Sequence, residues 1–463
     1  MIASGQLIAK SPVLQRSLYS RSGMQPKITS SNAISPPRIY VVCQACDDGY
    51  GDYVFACRMG NAMKKVASKC QVILCGIDDS THQTLSRFVE NRKLYCTLAE
   101  KSIDFRRMRP ETLENTLIIH GPVLKKQLLL PFDFPQQNIW HIGEYSNCAP
   151  VHENISKPQS SGLGDDEWGI FNIENKSDRN LRMKSFRNSI LAENIPNLSQ
   201  DPVYLAYCYD YRTILSFIHV IINAHKDNEE TVITLCLPGD RKKIGFQELL
   251  RSIPRILSEE VNAPSCCEFV WKSNNIVAVD TSRSLSPPPI QISKKRKDLN
   301  AYCHYFESDQ QSLLQWQFSS KKSSCTLRVL FPGFLSQEDM QKLRAHSNCS
   351  CITGDQSFSD HLGKVILYER RPHKDKFFTY AIELAQKHNL QHLARFWERT
   401  QPIINPNSDC GGSLASTLES IPSIYDPLLQ QQSRKFGQII QENHNLVKKV
   451  AKEFQKWKRS KTF

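Results

Sequence analysis

"RIYVVCQACDDGYGDYVFACRMGNAMKKV", residues 38–66, couples an apolar run to an acid- and glycine-rich loop and then to small, apolar and basic residues at helical spacing. A run apolar at nearly every position predicts a strand buried on both faces, and the spacing after it predicts a helix from Asp52 to about Val66. Gly49 and Gly51 suit a tight turn or a close backbone approach to a ligand. Asp52 falls at or near the helix N-cap, where a carboxylate satisfies free N–H groups. That duty does not extend to Asp48, on the same loop. Two carboxylates held close raise one another's pKa, the arrangement general-base chemistry uses, so Asp48 and Asp52 form the candidate catalytic pair.

The strand-helix alternation continues outward. "CQVILCGI", a helical stretch near 80–91, "NTLIIHG" and "NIWHIGEY" follow, and the polar stretch "VHENISKPQSSGLGDDEWGIF" closes this half. It restarts with "VYLAYCYD", the helix "YRTILSFIHVIINAHK", "TVITLCLPG", the helix "FQELLRSIPRIL", "CEFVWK" and "NIVAVD". Such alternation predicts an α/β chain with two successive parallel sheets, binding ligands in the crevice at the carboxyl ends of the strands. The expected organisation is a disordered Ser-, Pro- and Arg-rich leader at 1–37, one domain at 38–200, a second at 201–425, and a basic amphipathic segment at 426–463. There, apolar residues at 436, 439, 440, 447, 450, 454 and 457 predict one long helix that packs back on the domains. A membrane-surface or partner helix is the sharper alternative.

With 463 residues the chain exceeds one ordinary core. No apolar stretch reaches the roughly 20 residues of a membrane span, and the N-terminus lacks a compact secretory core. The sixteen cysteines sit largely in apolar runs, which fits buried thiols in a reducing cytoplasm. The C-x-x-C of Cys43 and Cys46 and the C-x-C of Cys349 and Cys351 lack partners at zinc spacing, so no metal site is expected. The formal net charge of +13 is concentrated in the two ends, leaving about +1 for the body. That distribution reads as solvated basic tails rather than a nucleic-acid site. The leader and the lysine-rich end also suit delivery into a host cell.

A second constellation is "CSCITGDQSFSDHLGKVILYE", in which a buried strand ends at Thr353 and Gly354, and Asp355, Gln356 and Ser357 open a helix. A helix N-terminus suits phosphate, and Asp355 suits sugar hydroxyls; an ordinary cap by Asp355 or Ser357 is the plain alternative. On these residues the chain resembles the GT-B glycosyltransferases, and among them the bacterial protein-arginine rhamnosyltransferases that modify a translation elongation factor. "DGYGD" is similar to the family's D-x-x-G-D loop, "GEYSNC" to its E-Y-L-S stretch and "SGLGDDEWGIF" to its glycine-rich closing loop. "LAYCYDYRTILSF" is similar to an L-F-C-Y-E strand, "LCLPGDRKK" to one ending L-P-E-G-R, and "LSQEDMQKLRAHSNCSCITGDQSF" to a P-Q-x-D-[FY]-D…R-G-E-D-S-F pattern. The likeness runs in order from residue 38 to about 380.

The resemblance implies two Rossmann-like domains facing across a cleft. It implies nucleotide-sugar contacts at Tyr207, Tyr209, Gln337, Asp355, Gln356 and Ser357, with Met340 where the family has a base-stacking aromatic. Thr353 replaces an arginine, so nucleotide and sugar can differ from dTDP-rhamnose. The activity implied is inverting transfer from a nucleotide-sugar donor to a protein acceptor, such as an arginine side chain. No D-x-D occurs, so the diphosphate is expected to be held without metal, by a helix N-terminus and by Arg241, Lys242 and Lys243. No separate cofactor is expected. The alternatives are a sugar-nucleotide epimerase on the same scaffold and a catalytically silent binding module.

Overall fold

The computed structural model of the chain describes residues 37–45, 51–90, 93–122, 126–144, 159–171, 178–197, 200–225, 231–240, 243–259, 266–272, 301–307, 311–318, 325–405 and 421–461. The expected leader, Cys46, Asp48, Arg241, Lys242, the strand expected at 275–280 and the Pro-rich run near 281–298 lie outside the described residues.

The first sheet contains β1 (Arg38–Gln44), β2 (Gln71–Gly76), β3 (Thr97–Leu98), β4 (Thr116–Pro122), β5 (Ile139–Glu144) and β6 (Gln159–Ser161). All pair in parallel, in the order β3-β2-β1-β4-β5-β6. Central β1 feeds two cores. Ile39, Val41 and Cys43 pack with Phe55, Met59 and Met63 of α1 (Gly51–Val66), while Tyr40 and Val42 pack with Phe105, Leu113 and Ile118 on the other face. This two-sided burial is why the run is apolar throughout instead of at alternate positions. Helix α2 (Asp79–Val89) is capped by Asp78, and the short α3 (Pro110–Leu113) leads into β4. Two further short helices, α4 (Asp178–Arg182) and α5 (Ser189–Asn194), lead to the second sheet.

That sheet contains β7 (Val203–Tyr207), β8 (Val232–Pro238), β9 (Cys266–Lys272), β10 (Ala301–Glu307), β11 (Gln311–Phe318), β12 (Thr326–Gly333), β13 (Ser347–Ile352) and β14 (Val365–Tyr368). The order is β10-β11-β9-β12-β8-β7-β13-β14. Strands β9, β12, β8, β7, β13 and β14 are parallel, and β10 and β11 form an antiparallel hairpin on β9. This hairpin extends one side of the parallel sheet, with β10 at the edge. Helices α6 (Tyr211–Ala224), α7 (Phe246–Glu259), α8 (Gln337–His346) and α9 (Asp355–Asp360) connect the strands. Beyond β14, α10 (Asp375–Lys387) and α11 (Gln391–Ile404) complete the layer, with Phe377, Phe378 and Trp397 fully buried.

The expected single C-terminal helix is two: α12 (Pro427–Asn443) and α13 (Leu446–Ser460). Phe436, Ile439 and Ile440 pack into the second lobe, whereas Leu446, Val450, Phe454 and Trp457 enter the first-lobe core. The break is built at Asn445, whose side chain accepts from the Val447 and Lys448 N–H groups as an N-cap. The chain also pairs here with Ile170, whose N–H donates to the His444 carbonyl at 2.9 Å and whose carbonyl accepts from Leu446 at 3.0 Å. Gly169 makes that approach possible: its φ is +93°, and a Cβ there would lie 2.2 Å from the His444 oxygen. The basic tail is thus a folded surface of the first lobe. Lys448, Lys452 and Lys458 are exposed on it, and Lys458 and the α1 residue Lys64 both act on the Cys70 thiol.

Both lobes are doubly wound α/β units. In each sheet the strand order reverses beside the first strand, between β1 and β4 and between β7 and β13, which opens crevices at the carboxyl ends. Among the described residues, no helix is long and apolar enough to cross a membrane. Cys43, Cys75, Cys236 and Cys351 are buried thiols.

Candidate active site between the two lobes

Asp52 stands in the first turn of α1, where the helix dipole favours a carboxylate; the helix begins one residue earlier, at Gly51. Glu144 closes β5 two strands away. From the second lobe, β13 ends at Ile352, and Gly354 turns the chain with φ +83° so that buried Asp355 opens α9. Only glycine adopts that conformation freely.

These acids share one field. Burial, then Asp355 and Asp52, push the Glu144 carboxyl up to about 8, with Lys374 opposing them. For Lys374, burial works downward, but Asp355, Glu144, Tyr209 and Asp52 outweigh it and hold the ammonium above its ordinary value. Its Nζ lies 3.1 Å from where a Cβ on Gly354 would be. One lysine therefore faces three carboxylates drawn from both lobes.

The end of β7 carries the tyrosines. Tyr207 and Tyr209 are 41% and 50% exposed, unusual for large rings at the end of a buried strand. Buried Glu369 fixes their loop by accepting from the Tyr209 and Asp210 N–H groups, both at 2.9 Å. The Arg371 guanidinium lies 4.9 Å from the Tyr209 ring centre and donates to Glu369 at 3.3 Å. A cavity of about 300 Å³ lies between Tyr207, Tyr209 and Lys243 of the second lobe and Tyr53, Thr81 and Lys126 of the first. Thr353 and Phe334 also line it. A larger hollow, about 460 Å³, lies at the opposite strand ends beside Arg182, His346 and Lys364, and contains none of these residues.

The structure thus brings together Asp52, Asp355, Tyr207 and Tyr209 of the expected residues. Gln356 is beside them: its Nε2 donates to the Asp355 carboxylate at 2.8 Å, and Ser357 follows in the same turn. Two expected residues lie away from the cavity lining. Met340 is half-buried on α8 against the core that contains Leu205, Leu330 and Leu343. Gln337 is exposed in the first turn of α8 and does not line the cavity, although Phe334 just before it does. Asp48 lies outside the described residues, and Glu144 is an acid that shares the field of Asp52. Glu144 has two legible signals, its place at the end of a strand-like run and its position as the acid of the "GEYSNC" stretch. Lys374 and Glu369 have none, since their roles come from strands and turns that meet only in space.

No family model matches the chain, and a search of curated proteins finds no match. Among solved structures it is similar to one described as the structural basis for EarP-mediated arginine glycosylation of translation elongation factor EF-P, at 14% identity over 91% of this chain and 99% of that chain, with a TM-score of 0.40. It is also similar to a glycosyltransferase from Rickettsia africae ESF-5, at 10% identity over 92% and 98% with a TM-score of 0.39. A third is MurG of Acinetobacter baumannii, at 8% identity over 91% and 100% with a TM-score of 0.41. At identities and TM-scores this low, fold and chemistry alike have to be argued from this chain's own residues.

Proposed function

We propose that the chain is an inverting glycosyltransferase that needs no metal, moving a sugar from a nucleotide-sugar donor to a cationic acceptor such as a protein arginine side chain. The observation that carries this reading is the juxtaposition of three carboxylates and Lys374 with a tyrosine-lined cavity between two lobes. The nucleotide would occupy the second lobe, its base against Tyr207 or Tyr209 and its diphosphate near Lys243 and the Gly354–Ser357 turn. Asp52 would face the acceptor from the first lobe.

The acceptor class follows from charge. Asp52 and Asp355 around one ammonium leave an acidic excess even while Glu144 holds its proton, which suits a guanidinium. A guanidinium keeps its proton in water, with a pKa above about 12. Asp52 would pair with it, and the arriving positive charge would draw the proton off Glu144 to complete the clamp, localising the charge and freeing one nitrogen to attack. That nitrogen forms a bond to the anomeric carbon as the bond from that carbon to the diphosphate oxygen breaks. The electron pair leaves with the nucleoside diphosphate, and Asp52 takes the acceptor proton.

The test has two stages. Melting curves with UDP, dTDP and GDP and their sugars should reveal one nucleotide that stabilises the protein by about 2.7 kcal/mol at a hundred times its Kd. Turnover of the matching nucleotide sugar on an arginine-containing protein should then fall by roughly 10²–10⁴-fold in Asp52→Asn, with nucleotide binding retained. No stabilisation by any nucleotide would sink the proposal. Binding without turnover would make the chain a silent binding module.

A further inference from the structure

Helix α1 carries a second charged residue to the opposite lobe. Six residues after Asp52, Arg58 sends its guanidinium across to α9: one nitrogen donates to the Gln356 Oε1 at 2.7 Å, and the other to both carboxylate oxygens of Asp360, at 2.8 and 2.9 Å. The side chains are 17% and 31% exposed, so this fork is less screened than an ordinary surface ion pair. Its planar geometry gives it a direction that a lysine could not supply. The contact also continues inward, since Gln356 donates from its other end to Asp355. Asp355, Gln356, Arg58 and Asp360 therefore form one hydrogen-bonded line joining the acid of the second lobe to the helix that holds Asp52.

We propose that Arg58 is a positioning residue that latches the two lobes and holds Asp52 in register with Asp355 across the cleft. The latch stands on the cross-lobe geometry, while its consequence for turnover rests on the glycosyltransferase reading. An α-helix is stiff over the roughly 9 Å that separates residues six apart, so fixing Arg58 fixes the start of α1. An ion pair that only decorated the surface would have no effect on the distance between lobes.

The experiment is a charge swap followed by small-angle X-ray scattering of the full chain. Arg58→Glu and Asp360→Arg, each alone, should increase the radius of gyration, and the double variant should return it to the wild-type value. Arg58→Lys should restore it only in part, because the fork is lost. The nucleotide identified by melting curves should bind the single variants as it binds wild type, while turnover falls on the order of a hundredfold, the scale of a 1 Å misplacement. Single variants with wild-type dimensions would overturn the latch. Expanded variants of a wild type that shows no turnover at all would keep the latch and retire the transfer reading.

Discussion

Glu144 shows how one carboxyl can work against the fold and for the site. Its pKa is raised from 4.5 to about 8 by burial and by two neighbouring acids. Between those values the unfolded chain has released a proton that the folded chain still holds, so this group's stabilising contribution is complete below pH 4.5 and is lost as pH rises through about 8. Glu144→Gln is therefore expected to melt above wild type at pH 8, with the difference closing by pH 4.5; equal melting temperatures at pH 8 would contradict the shared field. Gly354 is the complementary case. Its φ of +83° and ψ of 151° belong to a region essentially reserved for glycine, and an added Cβ would crowd Lys374. Gly354→Ala should cost about 1–3 kcal/mol in urea unfolding, the usual strain of such a conformation.

At the scale of elements, the decisive feature is the pair α12 and α13. The apolar stripe that suggested one helix is real, but its two halves serve different cores. The interval from Ile440 to Val447 is seven residues, two helical turns, so periodicity passes over the break without a signal. The sign was local: Asn445 directly before an apolar run is an N-cap pattern. Helix α13 is anchored by Trp457, which is 5% exposed and donates its indole N–H to Asn138 at 3.0 Å. Trp457→Ala should cost about 3–5 kcal/mol in denaturant unfolding, as expected for a large buried aromatic. A loss under 1 kcal/mol would mean that α13 rests on the first lobe without contributing to its core.

Across the whole molecule, buried histidines set the acid limit. Burial, reinforced by His141, lowers the His120 pKa to about 3, and burial first of all lowers His225, His346 and His361 to about 4. They lie in different parts of both lobes, and His120 shares a 3.2 Å contact with His141 across β4 and β5. Below the ordinary value of 6.5 the unfolded chain takes up protons that the folded chain refuses, so stability falls with pH, by about 1.4 kcal/mol per pH unit for each histidine. The opposite trend from Glu144 is a single group and is outweighed. Melting temperatures should decline steeply from pH 6.5 to pH 4, and a flat profile over that range would refute the account.

The alternation that makes two parallel sheets is legible in the order of residues, because a strand buried on both faces must be apolar throughout. It also placed Asp52 and Asp355 at the ends of such strands, since parallel sheets put their loops there. Glu144 and Lys374 come within the field of Asp355 only when the two lobes meet, and Met340 lies half-buried against a core away from the cavity lining. The hairpin of β10 and β11 and the division of the last helix likewise depended on which surfaces were available to cover. Strand and helix patterns are short-range properties of a chain, but the electrostatic neighbourhood of a carboxylate is decided by whatever folds within a few ångströms of it, however distant in sequence.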